Sequence, residues 1–210
     1  MEDKIDSLKN FIKKEYFEPL EKSGVYFWIA GGVLRDFYLG NSPKDIDIFL
    51  SSEADRKKLI DYCYSNLNFD WFSSGPLHRE YIDLEGRRWQ FLFLGGPAVP
   101  NMINTITYFD YTINFAAIDS QLNLCYSKNY FEDIENKKLH YTGNCYHVSH
   151  ARPEVAISRL KKYRERGFSF SHTELTKWLK YNEERWPYVS GQKDWEPMIR
   201  EDFEIISIPD

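Results

Sequence analysis

Asp45 and Asp47 stand two residues apart in Asp45-Ile46-Asp47-Ile48-Phe49-Leu50, and on a strand residues i and i+2 point the same way. Read as a strand, the run turns both carboxylates to one side and Ile46, Ile48 and Leu50 to a core. Two oxygen ligands on a rigid strand suit Mg2+, or Mn2+ in its place, because that ion takes one or two carboxylates and fills its octahedron with water and substrate phosphate. With a second ion the pair would clamp the attacking and leaving oxygens of a displacement. Just upstream, Trp28-Ile29-Ala30-Gly31-Gly32-Val33-Leu34-Arg35-Asp36 reads as an apolar strand end, a glycine turn and the start of a short helix. A helix N-terminus offers unpaired N–H groups and a favourable dipole to a phosphate. Acids for a cation beside a turn for a phosphate make phosphate-centred chemistry the expectation.

The elements that must hold these residues follow from periodicity. Ile5, Leu8, Phe11, Ile12 and Leu20 recur at helical intervals across residues 2 to 22, with a break expected near Pro19 and a stop at Gly24. Val25 to Ala30 is a strand leading into Gly31. Ser52 with Asp55 starts a helix over about residues 53 to 66, with Leu59, Ile60, Cys63 and Leu67 as its apolar stripe. His78 to Leu84 and Arg87 to Leu94 form a hairpin around Glu85-Gly86, and Leu122 to Tyr126 a further strand. Pro153 suits a first helical position and Gly167 a stop. That helix buries Ala156, Leu160 and Tyr163 and carries Arg152, Arg159 and Arg166 along one face, which is either a solvated charged face or a nucleotide contact. Ser171 and Glu174 make a capping box for a last helix to about Arg185.

The Gly31-Gly32-x-x-Arg35-Asp36, Leu39-Gly40, Asp45-x-Asp47 series resembles the signature of the tRNA nucleotidyltransferases and bacterial poly(A) polymerases, the class II branch of the polymerase-β-like nucleotidyltransferases. Tyr108-Phe109-Asp110-Tyr111-Thr112-Ile113-Asn114 resembles that family's second motif, Arg-Arg-Asp-Phe-Thr-Ile-Asn, without its arginine pair. The resemblance implies an α+β fold: a polymerase-β-like head, with a mixed sheet packed on helices, followed by a short helical C-terminal part. It implies Mg2+ at Asp45 and Asp47, a triphosphate near Gly31, Gly32, Arg35 and Asp36, and Asp110 and Asn114 at the sugar or completing the metal site. The strand that carries a third acid in the family has Gln90 here. Gln90 either bonds a phosphate, base or metal-bound water, or is a polar residue on a sheet face. Of the helix that reads the base in the family, two arginine positions are Val155 and Ser158, which leaves Arg159 as the first candidate for nucleotide contact, with Lys162 and Arg166 behind it.

At 210 residues, 42% apolar and 17% aromatic, the chain is long enough for a substantial core. No apolar run of about 18 residues and no signal-peptide pattern is present, and the odd count of cysteines matches no zinc spacing, so reduced thiols in a cytoplasmic protein without a membrane are expected. Net charge is −5. Residues 194 to 210 hold six acids and one base, whereas residues 150 to 168 hold six bases and two acids. A basic patch thus survives in an acidic chain. The expected domains are residues 1 to 145, a catalytic head, and 146 to 210, a helical nucleotide- or acceptor-side region with an acidic tail.

The resemblance, with the acid pair and glycine turn that carry it, implies a metal-dependent, template-independent nucleotidyltransferase. It would move a nucleoside monophosphate from a ribo- or deoxyribonucleoside triphosphate, ATP among them, to a hydroxyl of a nucleic-acid 3′ end or a protein, releasing pyrophosphate. Ser207, Ser190 or Tyr188 would serve if it primes on itself. A toxin, antiphage or phage setting with a cognate partner protein fits such a small member. The alternatives are a non-catalytic nucleotide- or partner-binding module and a tRNA 3′-end enzyme.

Overall fold

The Asp-x-Asp run is strand β2 (Asp45–Leu50), near the middle of a mixed sheet. The computed structural model describes residues 2–43, 45–75, 78–93, 100–142 and 153–185. Among them, β1 (Phe27–Ala30), β3 (Asp70–Ser74), β4 (His78–Ile82), β5 (Arg88–Leu92), β6 (Ala116–Asp119) and β7 (Leu124–Tyr126) complete the sheet, in the order β3-β4-β5-β2-β1-β6-β7. β2 runs parallel to β5, and the other pairings are antiparallel. A parallel pair needs a long crossover. Here helix α4 (Glu53–Asn66) and the β3–β4 pair supply it.

Ser52 caps α4 by accepting from Asp55 N at 3.0 Å, a contact worth about 1 kcal/mol. α4 packs on β2 and β5, and helix α3 (Gly32–Tyr38) on β2. Ile46, Ile48, Leu50, Trp89 and Phe91 are buried on the core side of the sheet. Burying each such side chain contributes roughly 1.5–3 kcal/mol, which locks the strand's alternation and leaves Asp45 exposed and Asp47 half-buried on the opposite side.

Asp83 sets the β4–β5 hairpin. Its Oδ1 accepts from Glu85 N and Arg87 N at 2.9 Å each, while Oδ2 accepts from Trp89 Nε1 at 2.9 Å and Arg87 Nε at 2.7 Å. Burial alone would raise this carboxyl, but the Trp89 and Arg87 donors and the Arg87 charge hold it below the ordinary carboxylate value.

The N-terminal region departs from the expected single break at Pro19. Helix α1 (Glu2–Ile12) passes into a π-helical turn at Lys13–Phe17, and helix α2 (Glu18–Glu21) starts with Pro19 in its first turn. Proline lacks the N–H that a first turn leaves unpaired anyway, so it opens a helix there instead of breaking one. The π turn brings Tyr16 edge-on to Trp89 and Phe17 edge-on to Phe27, at 5.6 and 5.3 Å between ring centroids.

The chain packs as two compact units: residues 1–107 with 114–128, which hold the whole sheet, and residues 108–113 with 129–210. In the first unit, helix α5 (Met102–Ile106) packs on β1, β6 and β7, and Trp28 Nε1 donates to Thr105 Oγ1 at 3.0 Å. The second unit contains helix α6 (Tyr130–Glu135), helix α7 (Pro153–Glu165) and helix α8 (His172–Arg185). Ser171 caps α8 by accepting from Glu174 N at 3.2 Å. Glu174 Oε2 accepts from Tyr141 N at 3.0 Å, a tertiary bond in place of the expected return to the cap. The expected domain boundary at residue 145, along with Cys145, Arg152, Tyr188, Ser190, Ser207 and the acidic tail, lies outside the described residues.

Candidate active site

Strand register assembles the acid face. Asp45 pairs with Arg88 and Asp47 with Gln90 across the β2–β5 ladder. Gln90 pairs in turn with Glu80 on β4, and Glu80 with Ser73 on β3. Directly paired residues share a face and lie within about 5 Å of each other at Cβ, so these side chains form one row beginning at Asp47. Glu80 Oε2 accepts from Ser73 Oγ at 2.7 Å, and Glu80 Oε1 lies 3.9 Å from Arg88 Nη1. The place beside Asp47 in this row thus holds a neutral amide, and the next acid along the row, Glu80, stands one strand beyond it. Neither Arg88 nor Glu80 was singled out from sequence. A hairpin centred on Glu85 puts Glu80 opposite Gln90 by simple counting, so the signal was present.

Among the described residues, no three His, Cys, Asp or Glu side chains converge as metal ligands. Asp45 and Asp47 still fit Mg2+, because that ion needs only one or two carboxylates and takes water and phosphate oxygens in its other positions.

The glycine turn sits on the neighbouring strand. Gly31 follows β1 with φ +80° and ψ −127°, a backbone state that side chains with a Cβ rarely adopt. Its N–H donates to Ala116 O at 3.0 Å, which ties the turn to β6. No side chain caps α3, and first-turn N–H groups have no partner within their own helix. A Cβ on Gly32 would stand 3.4 Å from Arg35 Nη2, in contact with the guanidinium.

Arg35 turns inward and is 4% exposed. It donates to Asp36 Oδ1 through Nε at 2.9 Å and Nη2 at 2.7 Å, and to Asn114 Oδ1 through Nη1 at 2.6 Å. Asp36 and Asn114 are buried as well. The first motif is thereby braced to Asn114, 79 positions away. Gly31, Gly32, Arg35, Asp36, Asp45, Asp47, Gln90 and Asn114 all belong to the first unit.

Asp110, Arg159 and Lys162 belong to the second unit. Arg159 meets Asp110 as a fork, Nε to Oδ2 and Nη2 to Oδ1 at 2.8 Å each, with Asp110 the deeper partner. A bidentate guanidinium–carboxylate pair fixes orientation as well as charge. Lys162 is exposed on α7. Next to Asp110, Tyr111 packs edge-on against Tyr163 and Phe170, and burial drives its hydroxyl well above the ordinary phenol value. Asp133 accepts from Thr112 Oγ1 and lies 2.9 Å from His140 Nδ1.

A family model described as "Gabija anti-defense 2 family protein" matches residues 2–137. Comparison with curated proteins by sequence gives no match. Solved structures with the same fold include a CCA-adding enzyme in complex with CTP, at 18% identity and a TM-score of 0.63 over 80% of this chain and 43% of that one. A tRNA-processing enzyme in an apo form matches at 18% identity and 0.60 over 83% of this chain and 46% of that one. The Thermotoga maritima CCA-adding enzyme complexed with tRNA matches at 16% identity and 0.58 over 86% and 41%. These likenesses show that the chain shares the α+β fold of these structures, and the chain spans less than half the length of each of them.

Proposed function

The chain belongs to the Gabija anti-defense 2 family, and from that premise we propose that it is a metal-dependent, template-independent nucleotidyltransferase whose product counters a defence system. The observation that carries the reading is the pair Asp45 and Asp47 on one face of β2, one strand away from the uncapped glycine turn that follows β1.

In this reading an acceptor hydroxyl attacks the α-phosphorus of a nucleoside triphosphate, and pyrophosphate leaves in line. Mg2+ held by Asp45 and Asp47 would, when bound, neutralise charge on the transferred phosphate and favour loss of the acceptor proton. The first-turn amides of α3 donate to phosphate oxygens where Gly31 and Gly32 leave space. Asp36, Arg35 and Asn114 hold that turn and the sugar side in place. Gln90 offers an amide to a phosphate or a water without adding negative charge beside Asp47. Arg159, held by the Asp110 carboxylate, and exposed Lys162 belong to the second unit and are given no part in this step. The acceptor is a nucleic-acid 3′ end or a protein hydroxyl, and tRNA belongs among those to try because two of the structural neighbours are named for it. Gln90 in the place of an acid favours a second reading, in which the site binds nucleotide without transferring it.

The test is incubation of the full chain with each labelled nucleoside triphosphate, Mg2+ or Mn2+, and RNA, DNA and protein acceptors. Transfer that disappears in Asp45→Ala and Asp47→Ala supports the proposal. No transfer by the wild type, or equal transfer by both variants, removes it; nucleotide binding without transfer would leave the second reading.

A further inference from the structure

Strand β3 is the edge of the sheet, and its pairing with β4 slips by one residue. Trp71 pairs with Tyr81, but the next pair is Ser73 with Glu80, so Phe72 is the extra residue of a β-bulge. A bulge bends the strand and re-aims a side chain, and bulges recur beside functional sites. Here the re-aimed ring lies 5.1 Å from the guanidinium carbon of Arg88. Arg88 is the register partner of Asp45, so Phe72 stands over the acid face. Phe72 is 44% exposed and the Arg88 side chain 52% exposed, which rules out a packing role in the core. Asp45, Arg88 and Phe72 therefore form a line of cation site, guanidinium plate and open aromatic ring.

We propose that Phe72 and Arg88 are a stacking platform for a nucleobase of a single-stranded acceptor, holding its end beside Asp45 and Asp47. This rests on the nucleotidyl-transfer reading of that face. The occupant follows from strand order. The glycine turn proposed for the triphosphate continues from β1, on one flank of β2, whereas Arg88 and Phe72 lie on β5 and β3, on the other flank. At about 4.8 Å per strand, β3 is roughly 14 Å from β2, within reach of the last nucleotides of an extended strand whose hydroxyl sits at the acids. Aromatic faces take any base, an arginine plate adds cation–π attraction, and neighbouring Gln90 can bond a base edge.

The test measures binding without turnover: fluorescence of single-stranded RNA and DNA oligonucleotides bearing a 3′-terminal 2-aminopurine, mixed with the full chain without metal or triphosphate. Phe72→Ala and Arg88→Ala are expected to weaken oligonucleotide binding about ten- to hundred-fold, with Phe72→Trp restoring it. Trp71→Ala removes a still more exposed aromatic on the same edge strand and should match the wild type, as should triphosphate binding by Phe72→Ala. Oligonucleotide affinity unchanged in Phe72→Ala, equal loss in Trp71→Ala, or loss confined to triphosphate binding overturns the platform. A wild-type chain that transfers to protein while binding no oligonucleotide also overturns the platform but leaves the transfer reading standing. Phe72-dependent binding in a chain that transfers nothing does the reverse.

Discussion

Replacing Arg35 with lysine tests whether the buried half of the site is a brace or a phosphate contact. Arginine presents a planar fork of donors; lysine keeps the charge but offers one ammonium on a flexible stem. Among the bonds of Arg35, three of 2.6–2.9 Å reach Asp36 Oδ1 and Asn114 Oδ1. An ammonium can serve one of these acceptors well, so a charged hydrogen bond to a buried acceptor is lost. Bonds of this kind contribute about 1.5–3 kcal/mol, and with Arg35 at 4% exposure water does not replace them. The expected cost of Arg35→Lys is about 2–4 kcal/mol, or roughly 5–15 °C in melting temperature for a chain of this size. Arg35→Met, which removes the guanidinium from buried Asp36, should cost about 3–5 kcal/mol. Urea unfolding followed by circular dichroism reads both, alongside KM for the triphosphate. An Arg35→Lys midpoint equal to wild type with KM raised tenfold or more would refute the reasoning, since Arg35 would then leave Asp36 and Asn114 to bind phosphate.

Three further outcomes are expected. Asp83 has a folded pKa below its unfolded value, so its contribution to stability is present above about pH 4 and is lost as pH falls through the folded value; Asp83→Asn should flatten the wild-type fall in unfolding free energy in that acid window. In the second unit, Arg159→Ala should cost more than Asp110→Asn, about 3–5 against 1–3 kcal/mol, because the first strands a buried carboxylate while the second leaves a partly exposed guanidinium to water; equal losses in urea unfolding would contradict the assigned depth of the pair. Burial pushes the Cys63 thiol up to about 12, so at pH 8 iodoacetamide should label Cys63 only after denaturation, as read by peptide mass mapping.

Local patterns were legible where one residue type outweighs its alternatives. The Ser52 cap and apolar stripe define a helix at 53–66, Pro153 opens another, and Asp-Ile-Asp-Ile places two acids on one strand face. Strand β3 was not legible, because Asp70-Trp71-Phe72-Ser73-Ser74 is mostly exposed and bulged, so no alternation marks it. The tasks of the charged residues were hidden for another reason. Arg35 finds Asn114, and Asp110 finds Arg159 49 positions later, only once the chain is folded. The resemblance to known motifs named these residues together, but which of them face each other is decided by burial and pairing.

The central claim is that Asp45 and Asp47 serve the transfer of a nucleoside monophosphate, and a dual-label experiment addresses it most directly. Triphosphate labelled at either the α- or the γ-phosphorus is incubated with Mg2+, the acceptor found in the screen, and wild type or Asp47→Asn. The account predicts α-label in the acceptor and γ-label in pyrophosphate, both falling by about 10²-fold or more in Asp47→Asn, since the metal supplies several kcal/mol to the transition state, with its melting curve unchanged. Label from the γ-phosphorus in the acceptor, or equal transfer of α-label by Asp47→Asn, would contradict it.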